Sequence, residues 1–162
     1  MKSLTLSLLS LSLLLAATAA KADQLTISLS APFQNAFGPA TVEFDATITN
    51  TTAQTLFLNS DSQSLDAPLT LDDTPFLNGF PFTLGAGDTF TGELFTINVP
   101  AGTTVGLYTG SFEILGGFDG ATLDTIGSTV FDVGVTPEPS SLLLLATGAI
   151  GGLVGIKRRL MP

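Results

Sequence analysis

The chain has 162 residues, with five Lys or Arg against fourteen Asp or Glu for a formal net charge of −9, and it contains no Cys, His or Trp. Without His or Cys, the serine triad, the cysteine nucleophile and the His-rich zinc site lack their chemical groups, and no disulfide can brace the fold. Between Ala22 and Lys157 there is no basic residue at all, which removes a Schiff-base lysine from that span and makes nucleic acid and anionic lipid poor partners.

Residues 1–22 read as a secretory signal peptide. Lys2 supplies the basic start, a Leu/Ser run continues to Leu15, and Ala20-Lys21-Ala22 precedes Asp23, which is an A-x-A cleavage pattern with Ala20 and Ala22 as its small residues. The mature chain is expected to begin at Asp23. An uncleaved anchor is the alternative, and Met1 at the N-terminus of the surface form would identify it.

Residues 23–135 are long enough for one domain of the size of an immunoglobulin-like sandwich. They hold thirteen of the fourteen acidic residues and all twelve Phe, so the fold must rest on an apolar core, to which buried rings contribute on the order of 150–250 Å² each. With no cation in the segment, each carboxylate must face water, accept hydrogen bonds or bind a metal. Asp61, Asp66, Asp72 and Asp73 are the candidate calcium ligands, as hard oxygen donors in one stretch, although their spacing matches no EF-hand. The competing reading is a solubilising acidic surface with no cofactor. Mutual repulsion should then raise the folded carboxylate pKa values, and added salt should relieve it.

The pattern along this segment is all-β. Leu25 to Leu29 alternates, and so does 42–48, with Val42, Phe44, Ala46 and Ile48 on one face. Asn50-Thr51-Thr52 is a glycosylation sequon in form and reads as a turn, and Leu56-Phe57-Leu58 opens the next strand. Asn59 to Asp73 reads as a polar loop, and Phe76 to Phe82, with Pro75 before it and Gly79 and Pro81 within it, as irregular or edge structure. In Thr89–Val99 the phase slips, which predicts a bulge near Glu93-Leu94. Gly106–Leu115 places Tyr108, Phe112 and Ile114 on one side, and Thr129–Val135 places Phe131, Val133 and Val135 inward. Seven or eight strands without a helix suggest a single antiparallel immunoglobulin-like β-sandwich. Tyr108 follows a turn, and the stretch from Val99 to Tyr108 is similar to the late-strand entry of immunoglobulin-like bacterial modules, which implies a tyrosine corner.

Little in this domain suggests an enzyme. Glu43, Glu93 and Glu113 are the only glutamate candidates for paired-carboxylate glycoside hydrolysis, and each reads as an ordinary solvated strand residue. Binding of extracellular polysaccharide is the alternative, with Phe76, Phe80 and Phe82 either an exposed patch or a plug at the end of the sandwich.

Residues 136–162 carry three features in order: Pro137-Glu138-Pro139, an apolar run from Ser140 to Ile156, and Lys157-Arg158-Arg159. Seventeen helical residues span roughly 25 Å, a short transmembrane helix, and the basic cluster marks the cytoplasmic side. Glycines 148, 151, 152 and 155 make two small-xxx-small spacings, either a helix-packing face or the ordinary glycine content of membrane helices. This tail resembles the PEP-CTERM sorting signal, a family also catalogued as an ice-binding-protein C-terminal motif. The resemblance implies an exported Gram-negative protein, anchored transiently in the inner membrane, cleaved by an exosortase near Pro137-Glu138-Pro139 and passed to the cell surface or an exopolysaccharide matrix. Thr136 stands where the family usually has Val, and Leu160-Met161-Pro162 trails the arginines.

Overall fold

The structure, a computed structural model, describes residues 23–137 together with 145, 147 and 148. The expected signal peptide, with Ala20 and Ala22, lies outside the described residues, as do Glu138, Pro139, Lys157, Arg158, Arg159 and nearly all of the apolar run. Among the described residues no helix is long and apolar enough to cross a membrane.

Among residues 23–137 nine strands and one short helix follow in chain order: β1 (Leu25–Leu29), β2 (Phe33–Phe37), β3 (Ala40–Asn50), β4 (Leu56–Leu65), β5 (Thr70–Asp72), α1 (Thr74–Gly79), β6 (Thr83–Leu84), β7 (Thr89–Val99), β8 (Gly106–Gly117) and β9 (Asp124–Thr136). They form a four-stranded sheet in the order β1-β3-β7-β5 and a five-stranded sheet in the order β2-β9-β8-β4-β6. The orders β1-β3-β7-β5 and β4-β8-β9 reproduce the A-B-E-D and C-F-G neighbours of an immunoglobulin constant-type sandwich. One step differs: the chain visits β5 in the first sheet before it places β6 beside β4 in the second.

The core lies between the sheets and is built by strict alternation. Val42, Phe44, Ala46 and Ile48 of β3 are buried while Glu43 and Asp45 are exposed, because successive side chains of a strand point to opposite faces. Phe131, Val133 and Val135 of β9 are buried as expected. Across β3 and β7 the register runs Phe44 to Phe95 and then Asp45 to Glu93, which leaves Leu94 as an extra residue. This is the expected bulge, and its effect is to bury both Leu94 and Phe95 completely. Phe95 then stacks on Phe44 at 5.0 Å and on Phe112 at 5.1 Å, and meets Phe131 at 4.7 Å, which ties the two sheets through rings. Gly110 makes room for this: a Cβ there would lie 2.3 Å from the Phe131 ring.

Four expectations need correction. The sandwich is not purely antiparallel, because β2 pairs with β9 in parallel. The chain leaves the first sheet after β1 and crosses to the second, so β2 enters alongside β9 in the same direction. Asn59–Asp73 is not a loop: residues through Leu65 continue β4 in register with β8, and Thr70–Asp72 form β5. Backbone pairing to β8 and β7 holds these polar residues extended without apolar side chains. Thr74–Gly79 forms a helix opened by Pro75, which suits a first helical turn because its missing N–H would have had no partner there. Its Phe76 and the following Phe80 are buried while Phe82 is 79% exposed, so two of the three rings plug the sandwich and one does not.

Asn50 is more than a turn residue. It is 1% exposed, and its Nδ2 donates to the carbonyls of Gln54 (2.7 Å), Leu84 (2.9 Å) and Gly85 (2.9 Å). Its Oδ1 accepts from the Thr52 amide and hydroxyl. A side chain so enclosed joins the ends of β3 and β6 and leaves no room for a glycan on the folded domain.

Candidate functional site

The place where the chain leaves the sandwich is set by β9. This strand lies between β2 and β8, with Phe37 opposite Thr136 on one side and Gly106 opposite Val135 on the other. Val135 is 3% exposed, Thr136 is half-buried and Pro137 is exposed. Pro137 has no N–H to donate, so it ends the ladder where the Pro-Glu-Pro motif begins. No linker separates core and motif.

Three loops surround this exit. Residues 38–39 join β2 to β3, residues 66–69 join β4 to β5, and residues 100–105 join β7 to β8. The first and third touch, since a Cβ on Gly38 would lie 3.1 Å from the carbonyl oxygen of Pro100. Gly102, at φ +79, supplies the left-handed backbone of the third loop, and the Thr103 hydroxyl donates to the Pro100 carbonyl at 2.7 Å. Tyr108 then donates its hydroxyl to the Thr104 carbonyl at 2.8 Å. That is the tyrosine corner expected from sequence, and it fixes the loop against the start of β8.

The acidic residues proposed for calcium do not converge. Asp66 accepts from the Thr109 amide at 2.9 Å, close to the chain exit, whereas Asp72 is taken up by the amide and hydroxyl of Thr74. Asp61 and Asp73 are near enough to interact, and Gln63 Nε2 donates to Asp73 at 3.5 Å. Among the described residues no group of three or more acidic side chains could hold a metal ion. Asp61, Asp66, Asp72 and Asp73 thus do not fit a calcium cage, because the polar stretch that carries them is extended over two strands rather than coiled into one loop.

Three carboxylates are shifted by their surroundings, and not all in one direction. Burial, followed by the negative charge of Asp73, pushes Asp61 above the usual carboxylate value. Asp72 moves the other way, held down by the hydroxyl and amide of Thr74. Asp119 is also lowered, by the Ala121 amide first and then by the hydroxyl and amide of Thr122. Local donors outweigh distant like charges at the exposed sites because water screens the latter.

The glutamates lie on three strands, and Glu93 on β7 is opposite Asp45 on its paired strand β3. Glu43 and Glu93 lie on β3 and β7 of the first sheet, while Glu113 lies on β8 of the second and accepts from the Thr125 hydroxyl at 3.2 Å. One feature near Glu93 was not visible in the sequence: a cleft of about 550 Å³ between α1 and β7, lined by Asp72, Thr74, Asn78, Phe80, Phe90 and Glu93. It exists because α1 packs over β7, and Phe80 meets Phe90 at 4.9 Å to form its floor.

No curated protein matches the chain. Among solved structures, native alpha-2-macroglobulin from Escherichia coli, in a fragment from domain MG7 to the C-terminus, matches at a TM-score of 0.46 and 20% identity. The match covers 70% of this chain and 16% of that one, so the chain spans under a fifth of its length. Residues 135–159 match the PEP-CTERM protein-sorting motif, whose first residue is the last buried residue of β9; the chain thus carries a PEP-CTERM sorting signal joined directly to a two-sheet β domain, which supports export with an exosortase as processing partner.

Proposed function

We propose that the chain is a non-enzymatic surface or extracellular-matrix protein whose acidic immunoglobulin-like domain is delivered by two terminal signals. The signal peptide 1–22 directs export, residues 140–156 hold the tail in the inner membrane, and Lys157-Arg158-Arg159 stay on the cytoplasmic side. An exosortase then cleaves near Pro137-Glu138-Pro139. The observation that carries this reading is the sorting-motif match that begins at Val135. Cleavage there removes every basic side chain left after signal removal, so all the charged side chains of the released domain are acidic.

Mass spectrometry of the surface and secreted forms tests the whole path. The expected product begins at Asp23 and ends near Pro137. A surface form that retains Met1 or Arg159 contradicts it.

A second reading, an adhesion module for extracellular polysaccharide, draws support from the cleft beside Glu93. Its carboxylates, the Asn78 amide and the Phe90 ring are groups that pair with sugar hydroxyls and stack on sugar faces. A glycan array probed with the released form tests it, with Asn78→Ala and Glu93→Gln expected to weaken any signal. Equal binding by both variants rules out the cleft.

A further inference from the structure

The tail holds the domain on a very short leash. From Pro137 to Ser140 there are three residues, which reach roughly 10 Å when fully extended. The headgroup layer on one side of a bilayer is itself about 5–8 Å thick, given a core of about 30 Å within about 40–45 Å overall. A domain tethered in this way has almost no clear water beneath it. The surface around the chain exit must therefore meet lipid while the tail is uncut.

That surface is suited to the contact. Phe33 (51% exposed), Phe37 (48%), Val105 (56%) and Leu107 (62%) stand around the exit. Phe37 is opposite Thr136 across the β2–β9 pairing, and Leu107 is opposite Gly134 across the β8–β9 pairing. The ring of Phe33 lies over the same Gly134, where a Cβ would sit 3.1 Å from its Cζ. On the outer face of the sheet Gly134 thus has Leu107 opposite it on β8 and the Phe33 ring and the Asn35 side chain over it from β2.

The charge distribution agrees. No acidic residue occurs in 33–42, 99–108 or 133–137; Glu138 follows in the tail, and Asp66 and Asp132 accept from the Thr109 amide and hydroxyl. At the opposite end Phe118 and Leu123 are each followed by an aspartate, Asp119 and Asp124, whereas the exposed Leu77 and Phe82 lie in a second stretch, 74–87, that also has no acidic residue.

We propose that the tail-proximal pole, through Phe33, Phe37, Val105 and Leu107, rests in the headgroup layer of the bilayer that holds the tail. The proposal depends on the membrane reading of residues 140–156. Contact is made by apolar burial, since the domain has no cation to engage anionic lipid. The pole leaves the membrane when the tail is cut.

Because the chain lacks Cys, single-site labelling is direct. Leu107→Cys at the near pole and Leu123→Cys at the far pole, both at exposed positions, are labelled with an environment-sensitive fluorophore. Each full chain is reconstituted in phosphatidylcholine vesicles carrying a spin-labelled lipid. Emission at 107 is expected to be blue-shifted and quenched severalfold more than at 123. A chain that inserts while 107 is as water-exposed as 123 overturns this proposal alone. Shielding at 107 without quenching by the spin label overturns it in favour of a second copy or another protein covering the pole. A chain that never partitions into vesicles overturns the membrane reading of the tail and this proposal with it.

Discussion

The two ends of the sandwich are closed in different ways. At the far pole, where β3 ends and β7 and β9 begin, a buried amide joins the loops: Asn50 spends both ends of its side chain on five groups. Asp23, Asp88, Asp119 and Asp124 lie around it. At the near pole, one half-buried ring does the corresponding work, with the Tyr108 hydroxyl on the Thr104 carbonyl, and the loop tips carry apolar side chains and few charges. The far pole is thus built to face water on all sides. The near pole has given up charge around the chain exit, and a polar hook that tolerates partial exposure suffices to hold it.

This contrast predicts a ranking of effects. Asn50→Ala should be the most damaging of the polar changes, at about 3 kcal/mol, because it removes a buried donor shared by the Gln54, Leu84 and Gly85 carbonyls together with the acceptor of the Thr52 amide and hydroxyl. Chemical denaturation is the check, and a loss no greater than that for Tyr108→Phe would erase the distinction between the poles. Tyr108→Phe itself should cost about 1 kcal/mol, the net worth of one hydrogen bond. Its unfolding midpoint should fall while the slope with denaturant stays constant.

Smaller effects should appear only as pH is varied. Asp119 has a folded pKa below its unfolded value, so its contribution is present above the unfolded value of about 3.9 and disappears as pH falls through the folded pKa. Asp119→Ala should therefore lower the melting temperature at pH 7 and matter less near pH 3. Asp61 has the opposite sign. Its folded pKa is raised, so its contribution is present below the unfolded value and lost as pH rises through the folded one. Asp61→Asn should raise the melting temperature at pH 7 relative to the parent, with the gain vanishing at low pH. A parallel response of the two variants would mean that overall charge, and not local donors, governs these carboxylates.

Much of the architecture could be read from residues with a strong period. Val42 to Ile48 announces β3, the slip at Glu93-Leu94 announces the bulge, and an isolated Tyr after a Gly turn announces the corner. The chain exit was legible for a different reason, since Pro-Glu-Pro, an apolar run and a basic cluster form an ordered chemical pattern. What escaped was structure held by backbone alone. The inward positions of β2 are Gln34 and Ala36, which show no apolar alternation, yet the strand is secured by its ladder to β9. The later half of β4 is Ser, Asp and Gln, and it is extended because β8 lies beside it. Asn50 looked like a turn residue because its partners Leu84 and Gly85 are more than thirty positions away. The cleft beside Glu93 depends on α1, a helix too short to leave a period.

The position of β9 has a mechanical consequence. It is the strand that runs into the tether; β8 flanks it from Asp124 to Val135, and β2 flanks its last five residues, from Asp132 to Thr136, on the other side. The bonds of the antiparallel ladder to β8 stand perpendicular to the strand, so a pull on Pro137 along the strand axis loads them in shear, all together, instead of one after another as in peeling. While the tail is uncut, a pull on the domain is borne by this seam along its length.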